Sequence, residues 1–286
     1  MTWTNESDRQ RSRLISSLLN RLLVCAASAA LFISASASSS ELSKPVTEYF
    51  GKYSGCALIL SRDRHSESRL EIGAEQCATQ LSPCSTFKIP NALIGLQSGV
   101  VTGPGHLKPW DGRQHQRVVN NQDHTLASAV ENSVVWYFQS LAFDVGTVVM
   151  QQWLDKLEYG NRDISAGIDH FWLGSSLKID AHQQLDLLID LKHKTLPFKP
   201  VFQQQLQDML VQDSDLAGTL HAKTGSCRGA SGSVPDHGWF VGWIDWEKNI
   251  QRNPASTWFV INIIGEDAWG WNARPIAIEL LQELQP

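Results

Sequence analysis

Ser85 and Lys88 are separated by one helical turn, a spacing that places a hydroxyl and an amine on the same helix face. A helix that starts here would hold Ser85 at its N-terminus, where free backbone N–H groups and the helix dipole stabilise a developing oxyanion. Taken alone the pattern is weak, because a chain of this length should contain about one Ser-x-x-Lys sequence by chance. A capping serine followed by a solvated lysine is the structural alternative.

A second motif strengthens the first. Lys-Thr-Gly at 223–225 lies in a β-rich run, and Ser-x-x-Lys combined with such a strand is the signature of serine β-lactamases and penicillin-binding proteins. Ser-Val-Val at 133–135 and Tyr-Gly-Asn at 159–161 fall between the two, and Gly-Trp-Phe-Val-Gly-Trp follows at 238–243. The ordered set resembles the class D, or oxacillinase-type, serine β-lactamases. The resemblance covers nearly the whole chain after the N-terminal segment, including Phe-Trp-Leu at 171–173.

The resemblance implies a particular base. Class D enzymes capture carbon dioxide on this lysine, so Lys88 is expected to become N6-carboxylysine. Its sequence neighbours and, by the family geometry, Val135 and Leu173 are apolar, so desolvation should lower the pKa of the amine. The resulting anion would activate Ser85 for acylation and a water for deacylation. Trp172 is the expected indole donor to this buried anion, with a purely structural core tryptophan as the alternative.

The same resemblance assigns proton transfer and substrate binding. Ser133 is expected to pass a proton to the leaving β-lactam nitrogen, to cap the helix that follows, or to do both. Lys223 is expected to supply positive potential beside Ser133 and the substrate carboxylate, with a solvated strand lysine as the alternative. The residues expected to bind substrate are Thr224, Gly225, Ser226, Arg274, Val135 and Leu173.

A physical argument supports three of these expected substrate-binding residues. Gly225 has no side chain, so the acyl group can lie against the strand. The backbone N–H groups of Ser85 and Ser226 are expected to form the oxyanion hole. Arg274 aligns with the arginine that the family places opposite the substrate carboxylate, where a planar guanidinium suits a planar anion.

Four cysteines follow the N-terminal segment, which allows three disulfide pairings or four buried thiols. Carbapenem-hydrolysing class A β-lactamases have a similarly spaced pair that forms a disulfide, and this resemblance implies Cys84 bonded to Cys227. Cys56 and Cys77 are then left to pair across or beside an early hairpin. The chain has no Cys-x-x-Cys pair and no His cluster at ligand spacing, so we predict no metal site. No cofactor is expected apart from carbon dioxide or bicarbonate.

Hydrophobic periodicity predicts the elements that position these residues. The fold class is α+β, a mainly antiparallel sheet flanked by helices with an inserted all-helical subdomain, and the resemblance implies the serine β-lactamase and penicillin-binding transpeptidase type. The sheet part is about 38–98 plus 216–286, and the helical part about 99–215. The predicted strands are 57–60, 69–72, 218–223, 239–245 and 258–264. The predicted helices are 86–97, 126–130, 134–142, 148–157, 181–191, 201–211 and 274–284.

The first 37 residues have the features of a secretory signal peptide: four arginines, an apolar run from Leu22 to Ile33, and Ala-Ser-Ala at 35–37. Cleavage after Ala37 would leave one β-lactamase domain, 38–286, periplasmic or secreted. A membrane anchor is the alternative, but the run is shorter than the about 20 residues that a spanning helix needs, so no stable membrane association is expected. The net charge of −5 disfavours nucleic acid as a partner. The expected partner is a small-molecule β-lactam, and the oligomeric state is left open.

These observations predict a hydrolase that opens the ring of penicillin-type β-lactams through a serine acyl-enzyme. The alternatives are a β-lactam sensor domain, which stays acylated, and a penicillin-binding D-Ala-D-Ala transpeptidase or carboxypeptidase. Sensor domains follow several membrane spans, whereas one short signal is expected here. Cell-wall enzymes usually have Asn where Val135 stands. The loops 102–123 and 229–237 are expected to set the substrate spectrum, and the sequence leaves open which penicillins, cephalosporins or carbapenems are hydrolysed.

Overall fold

Strand residues from both ends of the chain meet in one sheet. The computed structural model describes residues 42–63, 65–228, 235–247 and 256–285, and six of its strands form this sheet. They are β1 Ser54–Arg62, β2 Glu67–Ile72, β5 Val211–Gln212, β6 Gly218–Arg228, β7 Pro235–Trp246 and β8 Ser256–Ile264. They pair in the order β2-β1-β8-β7-β6-β5, all antiparallel, and β8 joins the early hairpin to the late strands. The predicted mainly antiparallel sheet and its early hairpin are confirmed.

The helical part lies between β2 and β6 in the sequence. A separate two-stranded ladder, β3 Leu107–Lys108 with β4 His124–Thr125, brings together the ends of the long loop. Two 3₁₀ turns lie at Cys84–Phe87 and Val118–Asn120. The helices are α1 Val46–Phe50, α2 Ala74–Cys77, α3 Lys88–Gln97, α4 Leu126–Glu131, α5 Val135–Val145, α6 Thr147–Lys156, α7 Ala181–His193, α8 Pro200–Met209 and α9 Gly270–Glu283.

Local sequence signals explain where several helices begin. Asp180, expected to cap α7, accepts from the backbone N–H of Gln183, whose side chain returns to the Asp180 N–H in a capping box. Pro200 is the first residue of α8, where a helix has no use for the missing N–H. The α+β arrangement with a helical insertion therefore follows from signals present in the sequence.

The sheet has a separate apolar core on each face. Side chains alternate along a strand, so Trp258 and Val260 of β8 join a core shared with helices α3 to α8, whereas Phe259 and Ile261 join a core under α9. We call these the helical face and the α9 face. The α9 face is closed by one long helix, with Leu280 fully buried. The central strands are therefore covered on both sides.

The described residues contain two disulfides, with the pairing that the resemblance implied. Cys56 of β1 is bonded to Cys77 of α2, with 5.0 Å between the Cα atoms. Cys84 is bonded to Cys227 of β6, with 5.6 Å between the Cα atoms. Both Cα separations lie in the usual range for a disulfide.

Residues 1–37, predicted as a signal peptide, lie outside the described residues. In the part of the chain that is described, no helix has the length and hydropathy needed to cross a membrane.

Candidate active site

Ser85 and Lys88 meet at the junction of a 3₁₀ turn and an α-helix. Ser85 lies in the turn, and α3 begins at Lys88 rather than at Thr86 as predicted. The Lys88 Nζ donates to Ser85 Oγ at 2.7 Å. The residue before the nucleophile, Cys84, has a φ of 46°, a left-handed conformation that costs free energy for a residue with a side chain. The disulfide anchors the chain at this strained position.

Burial controls the charge of Lys88. The residue is 1% exposed, and its amine lies 5.6 Å from the centre of the Phe138 ring. Desolvation holds the pKa of Lys88 well below its usual range, and the positive charges of Lys223 and Arg117 lower this pKa further. Val135 begins α5 and is half-buried. Lys88 is therefore poised to carry an uncharged amine beside Ser85, the state in which an amine is nucleophilic.

Lys223 and Ser133 form the second polar pair. The Lys223 Nζ donates to Ser133 Oγ at 3.0 Å and to the Thr224 carbonyl at 3.3 Å. Lys223 is 3% exposed, and desolvation with the charge of Arg117 lowers its pKa to about 7. The alternative of a solvated strand lysine is therefore wrong. An amine with this pKa can exchange a proton with a neighbouring hydroxyl near neutral pH.

The expectation that Ser133 caps the following helix is also wrong. Val134 occupies the N-cap position of α5, and it makes no side-chain cap. Ser133 instead adopts a left-handed φ of 56°, and its hydroxyl accepts from Lys223. A strained backbone at a non-glycine residue is typical of functional sites, because the surrounding structure has to offset its cost.

Trp172 is fully buried and has an unused donor. Its indole stacks on Phe87, the residue before Lys88, with ring centres 5.3 Å apart. Its Nε1–H has no hydrogen-bond partner among the described residues. A buried donor without a partner costs about 1–3 kcal/mol, so a group that accepts this N–H would be stabilising. The next residue, Leu173, is half-buried against the core of the helical face.

Gly225 has a packing reason to lack a side chain. A Cβ at this position would lie 2.8 Å from the Pro83 carbonyl oxygen and 3.2 Å from a Thr86 methyl group. The missing side chain therefore lets β6 press directly against the turn that holds Ser85, and its role in making room for an acyl group stays a prediction. Thr224 and Ser226 alternate with Gly225 and are half-buried, and Ser226 Oγ accepts from the backbone N–H of Gly270.

Comparison with known proteins decides the family. The penicillin binding protein transpeptidase domain model matches residues 52–252. The chain is 41% identical over 202 residues to the probable β-lactamase YbxI of Bacillus subtilis, covering 71% of each chain. It is 32% identical to β-lactamase OXA-20 of Pseudomonas aeruginosa, covering 70% of this chain and 73% of that protein. The solved structure of class D β-lactamase BAT-2 is 35% identical with a TM-score of 0.74, covering 85% of this chain and 96% of that one.

The chain belongs to the class D β-lactamases. It is thus a serine β-lactamase, a hydrolase, and the family and fold class that the motifs predicted are confirmed. Family membership makes the Ser85, Lys88, Ser133 and Lys223 cluster the candidate catalytic centre of this class D enzyme.

Tyr-Gly-Asn at 159–161 shapes a loop of this β-lactamase. Gly160 has a φ of 53°, and a Cβ there would lie 1.9 Å from the Lys178 carbonyl oxygen, so only glycine fits. The Asn161 side chain donates to the Ser176 carbonyl and accepts from the Lys178 N–H. The motif therefore fixes the loop that leads from Trp172 to α7.

Arg274 lies on α9, and its guanidinium donates to the backbone carbonyl of Asp213. The start of α9 lies directly beside β6. A Cβ at Gly270 would be only 2.4 Å from the Gly225 carbonyl oxygen. Within the described residues, no hydrogen bond joins Arg274 to Ser85, Lys88, Ser133 or Lys223. Its role opposite the substrate carboxylate stays a prediction.

Arg117 is a cation near the site that no sequence motif indicates. It lies in the long loop 102–123, and its guanidinium donates to the carbonyl of Asn132 at 2.7 Å, next to Ser133. Its charge lowers the pKa of both buried lysines. Arg117 belongs to no sequence motif. The only indication in the sequence that this segment contributes to function was the length of the loop.

Among the residues that the structure describes, one group of side chains has donor atoms close enough to hold a metal ion. Cys84, Cys227 and His237 place one ligand atom each within 4.8 Å of one another. The two cysteines are bonded to each other, however, and only a thiolate binds a metal strongly. In the disulfide form this cluster is therefore structural.

Proposed function

We propose that this class D enzyme opens the β-lactam ring of penicillin-type antibiotics through an acyl-enzyme on Ser85, with carboxylated Lys88 as the general base. The observation that supports this most directly is a fully buried amine with a strongly lowered pKa, 2.7 Å from the hydroxyl of Ser85. No charged group of the described residues forms a salt bridge with Lys88. An uncharged amine is the form that reacts with carbon dioxide.

The surroundings of Lys88 fit a carboxylate attached to its amine. Such an anion needs hydrogen-bond donors when it is buried, and the Trp172 indole N–H has no partner among the described residues. Phe87 links the two positions, because its ring stacks on the indole and its backbone continues into Lys88. When present, this carboxylate would supply the base that accepts the proton of Ser85 and later a proton of the hydrolytic water.

The other polar groups of the site handle the carbonyl and the leaving nitrogen. Ser85 Oγ forms a bond to the β-lactam carbonyl carbon, and the backbone N–H groups of Ser85 and Ser226 stabilise the oxyanion that develops. The bond from that carbon to the ring nitrogen then breaks. Ser133 Oγ donates its proton to the nitrogen and is reprotonated from Lys223, which lies 3.0 Å away and has a pKa of about 7.

Bicarbonate tests the proposed base. We expect that stripping bicarbonate from the buffer at fixed pH lowers the rate of penicillin hydrolysis and that adding it back restores the rate. Ser85→Ala in the same buffers is the control and should be inactive throughout. A rate that does not respond to bicarbonate would contradict carboxylation of Lys88.

The lifetime of the acyl-enzyme separates a β-lactamase from its relatives. Mass spectrometry after mixing with benzylpenicillin should show the acyl adduct disappear within seconds. An adduct that persists for hours would instead indicate a sensor domain or a cell-wall transpeptidase.

We further propose that the enzyme is exported to the periplasm or secreted. The two disulfides support this location, because disulfides persist in oxidising compartments. Activity found only in the cytosolic fraction of expressing cells would contradict it.

A further inference from the structure

Ser82 joins the nucleophile turn to the loop that carries Trp172. Its side chain is fully buried, and its hydroxyl both donates and accepts a hydrogen bond. The Oγ donates to the Trp172 carbonyl at 2.9 Å and accepts from the Gly174 N–H at 3.0 Å. One hydroxyl therefore holds the backbone on both sides of Leu173.

The backbone of the same residue is held from the sheet side. The Ser82 carbonyl accepts from the Trp239 indole N–H at 2.9 Å, and the Nε2 of His237 lies 3.1 Å from it. Both partners belong to β7, which pairs with the strand that contains Lys223. Three segments of the chain thus converge on Ser82: β7, the nucleophile turn and the Trp172 loop.

The position of Ser82 in the sequence makes this convergence relevant to Lys88. Ser82 is followed by Pro83 and Cys84. The ring of Pro83 fixes its φ, and the side chain of Cys84 is cross-linked by a disulfide. Ser82 is therefore rigidly connected to Ser85. Its hydroxyl in turn fixes the backbone of Trp172, the residue with the unpartnered indole N–H.

We propose that Ser82 is a positioning residue that holds the Trp172 indole in register with Lys88 and so stabilises the carboxylated lysine. This inference rests on the proposed function and deepens it. Ser82 does not touch the reacting atoms. It acts because loss of its hydroxyl would leave the Trp172 carbonyl and the Gly174 N–H without their partner and free the loop to shift.

Ser82→Ala tests the proposal, with Ser176→Ala as the matched control. Ser176 is a half-buried serine of the same loop that makes the same kind of link, donating to the Asp163 carbonyl and accepting from the Ala166 N–H. We expect Ser82→Ala, which removes both hydrogen bonds, to raise the bicarbonate concentration for half-maximal activity about tenfold, a change of the size that one buried hydrogen bond contributes. At saturating bicarbonate the kcat of Ser82→Ala should return to within about threefold of the wild-type value. On a free-energy scale this residual loss is less than half of the tenfold effect.

A direct signal separates positioning from loss of structure. With ¹³C-labelled bicarbonate, the carbamate NMR resonance of Ser82→Ala should need more bicarbonate than those of wild type and Ser176→Ala. Ser82→Thr keeps the hydroxyl and should behave more like the wild type, which provides a test even if the alanine variant folds poorly.

The outcomes distinguish this inference from the proposed function. If the wild type shows the carbamate signal but Ser82→Ala needs no more bicarbonate than the wild type, the role of Ser82 is overturned and the proposed function stands. An equal increase in Ser176→Ala would also overturn it, because general loosening of the loop would then explain the effect. A wild type without any carbamate signal would overturn both proposals.

Discussion

The two faces of the central sheet are built on different principles. The helical face contains two lysines that are at most 3% exposed, Lys88 and Lys223. It also contains buried polar atoms that lack a partner among the described residues, such as the Trp172 and Trp258 indole nitrogens. On the α9 face, by contrast, the buried Thr257 hydroxyl accepts from the Trp246 indole, and no described polar side-chain atom of that core lacks a partner.

This contrast indicates that the α9 face stabilises the fold and that the helical face lowers its stability. Buried amines and unpartnered donors destabilise the folded state, whereas apolar packing under α9 stabilises it. Active sites commonly reduce the stability of the fold in this way, because the groups that react are not at their own free-energy minimum. Substitutions on the two faces should therefore have opposite consequences for activity and stability.

Lys88→Met should give the largest change in activity and should separate activity from stability most clearly. Removing the amine should lower kcat/KM by about 10³-fold or more, as for loss of a catalytic group elsewhere. The same change replaces a desolvated amine by an apolar side chain of similar size, so the free energy of unfolding should rise by about 0.5–2 kcal/mol. Initial rates and urea unfolding measure the two quantities. Lys156→Met, at an exposed position of α6, is the control; a less stable Lys88→Met protein would break the contrast.

Leu280→Ala should have the reverse profile. Leu280 is fully buried on the α9 face, so its truncation should cost about 2–5 kcal/mol of unfolding free energy. The kcat/KM per folded molecule should stay near the wild-type value, because the catalytic groups lie on the other side of the sheet. Val201→Ala, at a position 55% exposed, should change neither quantity appreciably. A large loss of kcat/KM in folded Leu280→Ala would show that the faces are coupled.

Arg117→Gln should give the smallest effect, which is best seen in the pH dependence of stability. Lys223 has a pKa of about 7 when folded and an ordinary value of 10.5, so the unfolded state binds more protons between these pH values. The free energy of unfolding should therefore rise with pH across that window. Removing the Arg117 charge should raise the pKa of Lys223 and make this rise shallower. Because Arg117 is exposed, the change should be under about 1 kcal/mol.

Urea unfolding at several pH values in bicarbonate-free buffer measures the rise. Arg113→Gln removes the same charge from the same loop, where Arg113 pairs with Asp111, and should leave the rise unchanged. An identical pH dependence in Arg117→Gln and wild type would contradict the assigned influence of Arg117 on Lys223.

Much of this architecture could be predicted because local signals agree with the final structure. Helix periodicity, the Asp180 cap and the Pro200 start gave the helices of the insertion to within a few residues. The alternation of strand residues gave the hairpin and the late strands. The resemblance to a similarly spaced cysteine pair in class A β-lactamases gave the pairing of Cys84 with Cys227, which the cysteine count alone left open.

What could not be predicted depends on contacts between distant segments. The left-handed backbone of Ser133 has no local sequence signal, because serine does not favour positive φ. The close approach of β6 to Pro83, which explains Gly225, appears only once the strands are paired. The convergence on Ser82 and the influence of Arg117 on the lysines likewise depend on tertiary contacts.

The bond between Cys84 and Cys227 encloses a covalent ring whose ends are 143 residues apart in sequence. Ser85, Lys88, Ser133, Trp172 and Lys223 all lie inside that ring. A protease that cuts one exposed peptide bond within it, for example in the segment 111–114, opens the ring without releasing a fragment. The two pieces stay tethered, and their reassembly is an intramolecular event at high effective concentration. The enzyme should therefore survive a single nick that would dismantle a β-lactamase lacking this cross-link.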